Sequence, residues 1–383
     1  MKNLTLNPFK SVALSLSLFY FFYFAMVGVY VIFMPKVLKD LGYSAVEIGA
    51  IYTSAPLMRF LLPFIFKHWL KLTNRVFFTS LMATSIITAL FFLTINNFWL
   101  FLLINFAFGG AMGTVLPFVE IVALESIGKE KYGRVRLWGS IGFASIAYVL
   151  GGILNSYIMA LGFLFSMAFL TMLFGFIVAK FDKNISLKKQ SISSENSSFS
   201  LSRYWAFWVS IFLFQLSFGG FYNFFTIYET SNGIPLDIVS YLWIFGVICE
   251  IVMLIFQGPL LKNFNLLTIL ILTTFSGVFR WLLVAFYPQS LTLMLVAQAT
   301  HALSFALYYT AAITYVYTLY RQKQLAQQFF LGISFGLGGS IGAIISGVIY
   351  KASPSGLFVF EAFVALLAVL FLILHKRRKE YVK

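Results

Sequence analysis

The sequence predicts an all-α integral membrane protein: twelve transmembrane helices in two pseudo-symmetric six-helix bundles. Three observations carry that prediction. Hydrophobic residues make up 61% of the 383 and charged residues only 10%, against about 45–50% and about 25% in an ordinary soluble domain. Apolar runs of about 20 residues, the length that crosses a bilayer as a helix, follow one another along the chain. Two short motifs recur six spans apart.

Taken in order, the spans fall near residues 11 to 35, 45 to 66, 76 to 95, 98 to 122, 135 to 158 and 161 to 180, separated by short clusters of Lys, Arg, Asn, Gly or Pro. The first follows Lys2 and Lys10, and its apolar run from Val12 to Met34 is too long for a signal-peptide core, so it reads as a retained span. A polar stretch from Phe181 to Arg203 contains SISSENSSFSLS and suits a solvated linker. Six more spans follow near 204 to 230, 237 to 260, 266 to 288, 291 to 318, 326 to 350 and 355 to 375. The resulting organisation is an N-terminal bundle (1–182), a cytoplasmic linker (183–203) and a C-terminal bundle (204–383).

The net charge of +15 is one of topology. Nucleic-acid binders carry basic patches on a polar surface, which this chain lacks. With Met1 on the cytoplasmic side, 22 of the 27 basic residues lie on the inner side, only Lys36, Lys39 and Lys351 fall outside, and Arg59 and Arg280 are left inside the membrane. The positive-inside rule therefore places both termini in the cytoplasm. The single cysteine, Cys249, rules out an internal disulfide and a Cys-cluster metal site, and reads as a small buried hydrophobe.

The repeats point to duplication. Gly139-Ser140-Ile141-Gly142 opens the fifth span and Gly339-Ser340-Ile341-Gly342 lies in the eleventh; GYSAVEI from Gly42 enters the second span and GIPLDI from Gly233 the eighth. Parallel six-helix halves are an architecture in which solute binds near the bilayer midplane while the bundles rock, and glycines permit the close helix approach that this requires.

Ionisable groups inside spans are costly and mark function or pairing. Glu120, toward the end of the fourth span, and Arg136, at the start of the fifth, can face each other and offer a carboxylate and a planar guanidinium fork to a solute, or merely close the loop between them. Glu250 lies in mid-span eight, where a short carboxylate cannot reach the interface, so it is protonated, paired or in a wet cavity; it leads the candidates for proton coupling, against a static helix-pinning pair. Arg280 and His301 are its available partners. Arg59, flanked by Pro56 and Pro63, either meets an anion or fixes packing. Gln215, Ser217, Tyr222 and Asn223 in span seven can hydrogen-bond and stack on a solute, although core packing is the plainer role for any one ring. Glu47, Asp237 and Glu229 sit near outer span ends, where water is available, and receive no role. No Walker A, His-Glu-x-x-His, Gly-x-Ser-x-Gly or Cys/His cluster is present, so no cofactor, metal or enzymatic activity is expected and transport would run on an ion gradient.

These residues resemble the major facilitator superfamily, in the branch of phenylpropionate transporters, nucleoside:proton symporters and, more distantly, lactose permease. The likeness runs over nearly the whole chain. Its most specific part is YGRVRLWGSIG, Tyr132 to Gly142, joined by Arg59-Phe60, Gln215 with Ser217, Tyr241-Leu242-Trp243, Glu250, Arg280-Trp281, His301, Ala311-Ala312 and FGLGGSIGA from Phe335. The resemblance implies a substrate-binding role for Glu120 and Arg136 and a substrate or proton role for Glu250. The loop KHWLKLTNR departs from the superfamily's Gly-x-x-x-Asp-Arg pattern. Ser304 replaces the permease's glutamate, and Phe218 and Tyr309 replace histidines of phenylpropionate transporters. Weight therefore shifts to Glu250, and the solute is not fixed by kinship.

The expectation is a monomeric, proton-coupled symporter in a bacterial cytoplasmic membrane, importing a small aromatic acid, nucleoside or sugar-like solute by alternating access. Glu120, Arg136, Gln215, Tyr222, Asn223 and Glu250 would meet substrate, and Glu250, Arg280 and His301 would couple the proton. The alternatives are proton-driven efflux, which oppositely oriented vesicles would separate, and a transport-dead sensor, which would bind ligand without flux.

Overall fold

A computed structural model describes residues 8–68, 73–180 and 200–381, and within them all regular structure is helical. Twelve helices among the described residues are long and apolar enough to cross a membrane. They are α1 (Val12–Asp40), α2 (Ala45–Leu62), α3 (Asn74–Thr94), α4 (Phe98–Ile127), α5 (Lys131–Ile153), α6 (Tyr157–Ala179), α7 (Ser202–Ser231), α8 (Leu236–Asn263), α9 (Leu266–Phe286), α10 (Leu291–Leu319), α11 (Leu325–Ala352) and α12 (Pro354–Arg378). The sequence-derived boundaries shift where polar residues start or extend a helix. Ser156 caps α6, its hydroxyl accepting from the Met159 amide at 3.3 Å, so the α5–α6 turn lies at 154–156 rather than around 159–160. Asn97 and Asn265 cap α4 and α9 in the same way. At α2, Ser44 and Glu47 form a reciprocal capping box: Glu47 Oε2 accepts from the Ser44 amide at 2.8 Å, and the Glu47 amide donates to Ser44 Oγ at 3.3 Å. The linker expected at 183–203 falls largely on residues outside those described, as does part of KHWLKLTNR.

Packing divides the chain into two compact units, Met1–Val37 with Leu61–Ile192, and Leu38–Phe60 with Ser193–Lys383. In the first, α1 packs on α5 and α6, and α3 on α4 and α6. In the second, α7 packs on α11 and α12, and α9 on α10 and α12: the same pairings, six helices later. Most of α2, up to Phe60, belongs to the second unit through α11, where a Cβ on Gly49 would lie 3.0 Å from the Gly347 Cα and Thr53 Oγ1 donates to the Ser340 carbonyl at 3.0 Å.

The sequence repeats have matching structural work. Gly42 and Gly233, each in the turn before α2 or α8, adopt φ of 92° and 90°, a left-handed conformation that glycine takes without the Cβ penalty. Gly142 on α5 lies against the Phe21 backbone of α1, and Gly342 on α11 against the Leu216 backbone of α7, so the last glycine of each Gly-Ser-Ile-Gly lets a fifth helix touch a first. Valine at either position has to separate two helices. Gly142→Val and Gly342→Val are each expected to cost roughly 1–3 kcal/mol, seen as a lower thermal midpoint in detergent. Gly162→Val, where nothing lies within 4 Å of an added Cβ, is expected to leave the midpoint in place.

Among the described residues, four helices depart from regular α geometry. Wide π-helical turns occur in α1 (Val29–Phe33), α10 (Ala302–Leu307) and α11 (Gly332–Gly338). Helix α7 is interrupted: one segment ends at Leu216 and the next starts at Gly219. Such departures concentrate at functional sites, and two of them border the site below.

Candidate functional site

The second unit holds a polar cluster built on α8, α9 and α10. Arg280, on α9, is fully buried. Its guanidinium lies 4.0 Å from the Phe221 ring centroid and 4.7 Å from that of Trp281, with Phe218 at 5.8 Å. Aromatic faces supply some of the stabilisation that water would otherwise give the cation. Nη1 contacts His301 Nδ1 at 2.9 Å, and Nη2 donates to Gln298 Oε1 at 3.1 Å. On the far edge of the imidazole, Nε2 faces Glu250 Oε2 at 3.8 Å, ion-pair range but beyond a hydrogen bond. His301 stacks on Phe305 at 4.9 Å, just inside the π turn of α10.

This geometry fixes a tautomer. A guanidinium has only donors, so Nδ1 must accept, and the ring carries its proton on Nε2, toward Glu250. Arg280 and Gln298 are buried, whereas the Glu250 side chain is 25% exposed. The cluster thus runs from a buried cation, through an oriented imidazole, to an accessible carboxylate. Arg280 Nε and Gln298 Nε2 are buried without hydrogen-bond partners among the described residues, an expense of about 1–3 kcal/mol each that stability alone does not explain.

Of the other residues singled out in α7, Tyr222 stacks on Phe218 at 5.9 Å, with Arg280 and Glu250 both close enough to act on its hydroxyl electrostatically. Asn223 is buried and donates to the Gly219 carbonyl at 2.8 Å, and Gln215 is buried beside Gly338 of α11. Ser217 donates to the Phe214 carbonyl at 2.7 Å and receives the Trp281 indole N–H at 3.4 Å. Ser217 and Asn223 thus bond to the α7 backbone on either side of the interruption.

In the first unit, Glu120 and Arg136 are near one another, each within reach of the other's field. Glu120 Oε1 accepts from the Tyr132 hydroxyl at 3.3 Å. The Arg136 guanidinium lies 4.0 Å from the Phe24 ring centroid and 5.5 Å from that of Tyr20. A Cβ on Gly139 would meet Arg136 Nη1 at 2.9 Å and Phe24 at 2.6 Å, so this glycine makes room for the stacked guanidinium. YGRVRLWG therefore works as a unit: Tyr132 holds the acid, Arg136 presents the fork and Gly139 clears the space.

Three features were not legible in the sequence. Gln298 completes the Arg280 site. Glu361, on α12, is 1% exposed and accepts a short hydrogen bond from the Gly220 amide. Glu229 is not the water-accessible end residue expected of its position: it is fully buried, with neither carboxyl oxygen hydrogen-bonded among the described residues. Arg59, conversely, is exposed rather than locked in packing. Among the described residues no group of three or more His, Cys, Asp and Glu could hold a metal ion.

The comparisons with known proteins agree with this architecture. A family model described as "MFS_1 like family" matches residues 13–362. A protein of Escherichia coli (strain K12) named "Probable 3-phenylpropionic acid transporter" is 25% identical over 375 residues, covering 92% of this chain and 95% of that protein. "Uncharacterized transporter YwbF" of Bacillus subtilis (strain 168) is 24% identical over 306 residues, 78% of this chain and 76% of that one. Among solved structures, the nucleoside transporter NupG superposes with a TM-score of 0.81 at 16% identity, over 95% of this chain and 98% of that one. A variant of the E. coli fucose:proton symporter FucP gives 0.57 at 17% identity, over 96% and 98%. With twelve membrane-capable helices, a six-helix repeat and a family match over most of its length, the chain belongs to the MFS_1-like family and is a multi-pass major facilitator transporter.

Proposed function

We propose that this transporter is a proton-coupled symporter that imports a small organic solute by alternating access, acting as a monomer in a bacterial cytoplasmic membrane with both termini inside. The observation that carries this reading is the Arg280–His301–Glu250 array, a fixed cation oriented through an imidazole toward one accessible carboxylate. Glu250 is the proton carrier, since a carboxyl group that moves between wet and dry surroundings gains and loses a proton with them. His301, whose Nδ1 is held by Arg280, is a donor that orients Glu250 and any solute beside it. Arg136 and Glu120 recognise a carboxylate or hydroxyl of the solute, and Tyr222, with Asn223 and Gln215 behind it, contributes the aromatic and polar wall of the second unit. An aromatic acid, nucleoside or sugar-like solute suits this mixture of rings and hydrogen-bonding groups, and the names of the relatives support the same range.

Proteoliposomes holding the purified chain, given an imposed pH gradient and radiolabelled 3-phenylpropionate, uridine or L-fucose, test the reading. Accumulation of one solute that collapses with a protonophore is the expected result. Accumulation indifferent to the gradient, or only gradient-driven exit, would refute proton-coupled import. In the same assay His301→Gln, whose amide can still donate toward Glu250, is expected to keep gradient-driven accumulation with a KM raised several-fold; total loss of coupling would move the proton to His301.

A further inference from the structure

The interruption in α7 leaves a specific defect. The first segment closes with the Ser217 amide donating to the Leu213 carbonyl and the Phe218 amide to Gln215, and the second segment begins its ladder only at the Tyr222 amide, which donates to Phe218. The first amides of a new helix have no intrahelical acceptor, and here they lie inside the membrane, where an unmet backbone donor is costly. One carboxylate meets them. Glu361 reaches across from α12, and its Oε1 accepts from the Gly220 amide, with the Phe221 amide acting on the same group. Glycine at 220 is what admits it: a Cβ there would lie 2.7 Å from Oε1 and 2.7 Å from Leu357. The other oxygen, Oε2, is buried without a partner among the described residues. Oε1 is thus engaged by the backbone of α7, while the buried Arg280 guanidinium of α9 lies within reach of the same carboxyl group's field.

Resting on the transport reading above, we infer that Glu361 is a positioning residue: an intramembrane cap, supplied by α12, that fixes where the second half of α7 starts. That half-helix carries Phe221 onto the Arg280 guanidinium and Tyr222 to its neighbourhood, so the cap sets the aromatic wall of the site without touching solute. The role needs an acceptor, not a titrating charge, which separates it from that of Glu250.

Amide hydrogen exchange of the reconstituted full chain reads the cap without any solute. Glu361→Leu is expected to speed exchange in the peptide spanning residues 217–224 at least tenfold, and Glu361→Gln, which keeps a carbonyl acceptor, to restore protection. Gly220→Ala, which displaces the carboxyl group without removing it, is expected to match the leucine variant and serves in its place if that variant does not fold. In uptake, leucine or alanine is expected to raise KM about tenfold, while Glu361→Gln keeps the wild-type KM and pH profile. Unchanged exchange in both the leucine and alanine variants, a glutamine variant as unprotected as leucine, or a shifted pH profile in the glutamine variant would each overturn the proposal. If the wild-type chain moves no solute, the transport reading fails by itself, and the exchange data still decide whether Glu361 caps α7.

Discussion

Glu250→Gln is expected to abolish uphill accumulation of solute while leaving solute exchange across the membrane intact. Glutamine has the size and polarity of a protonated glutamate and keeps an acceptor facing His301 Nε2, so the cluster around Arg280 loses no hydrogen bond on substitution. What it cannot do is release a proton. One pH unit is worth about 1.4 kcal/mol, so a one-to-one symporter can concentrate its solute about tenfold per unit of gradient, and the variant should settle at a ratio of about one. Radiolabelled solute counterflow at zero gradient, measured beside gradient-driven uptake, separates the two activities. A glutamine variant that still accumulates solute against its gradient removes Glu250 from coupling. One that fails in counterflow as well makes it a binding group alone.

Arg280 should be less tolerant still. Its guanidinium contacts a histidine nitrogen and a glutamine oxygen in two directions while lying against two aromatic faces. Arg280→Leu strands His301 Nδ1 and Gln298 Oε1 in a buried place, a loss of about 1–3 kcal/mol for each stranded group, and frees the imidazole to change tautomer. Uptake is expected to fall more than a hundredfold and the thermal midpoint to drop. Arg280→Lys is the sharper measurement. A lysine keeps the charge but lacks the planar fork, and it should recover stability more fully than transport. Equal recovery of both would mean that the charge matters and the orientation of His301 does not.

What the sequence disclosed, and what it hid, follows from the range of each interaction. Hydropathy is local, so all twelve spans were legible. The six-helix repeat was legible because Gly42 and Gly233, and Gly142 and Gly342, answer the same steric demand in each half. Glu120 and Arg136 were legible as neighbours because a single turn joins their helices. Glu361 was not, since it stands in the most apolar span and meets an amide 141 residues away. Glu229 misled because the adjacent turn at Asn232-Gly233 resembles a wet helix end, while tertiary packing buries the side chain completely. The interruption of α7 and the wide turns of α1, α10 and α11 left no sign in a hydropathy profile, which counts residues and ignores how they wind.

The wide turns bear on how such a chain can change over generations. An i→i+5 turn stores one more residue than an ordinary turn, so a single codon lost there is absorbed by a return to ordinary winding. Val29–Phe33, Ala302–Leu307 and Gly332–Gly338 are therefore places where a bilayer-crossing segment can accept a one-residue deletion without sliding its ends out of the membrane. A helical-wheel projection carried through any of them assigns the residues beyond to the wrong face by about 100°, so His301 and Tyr308 cannot be compared on one wheel.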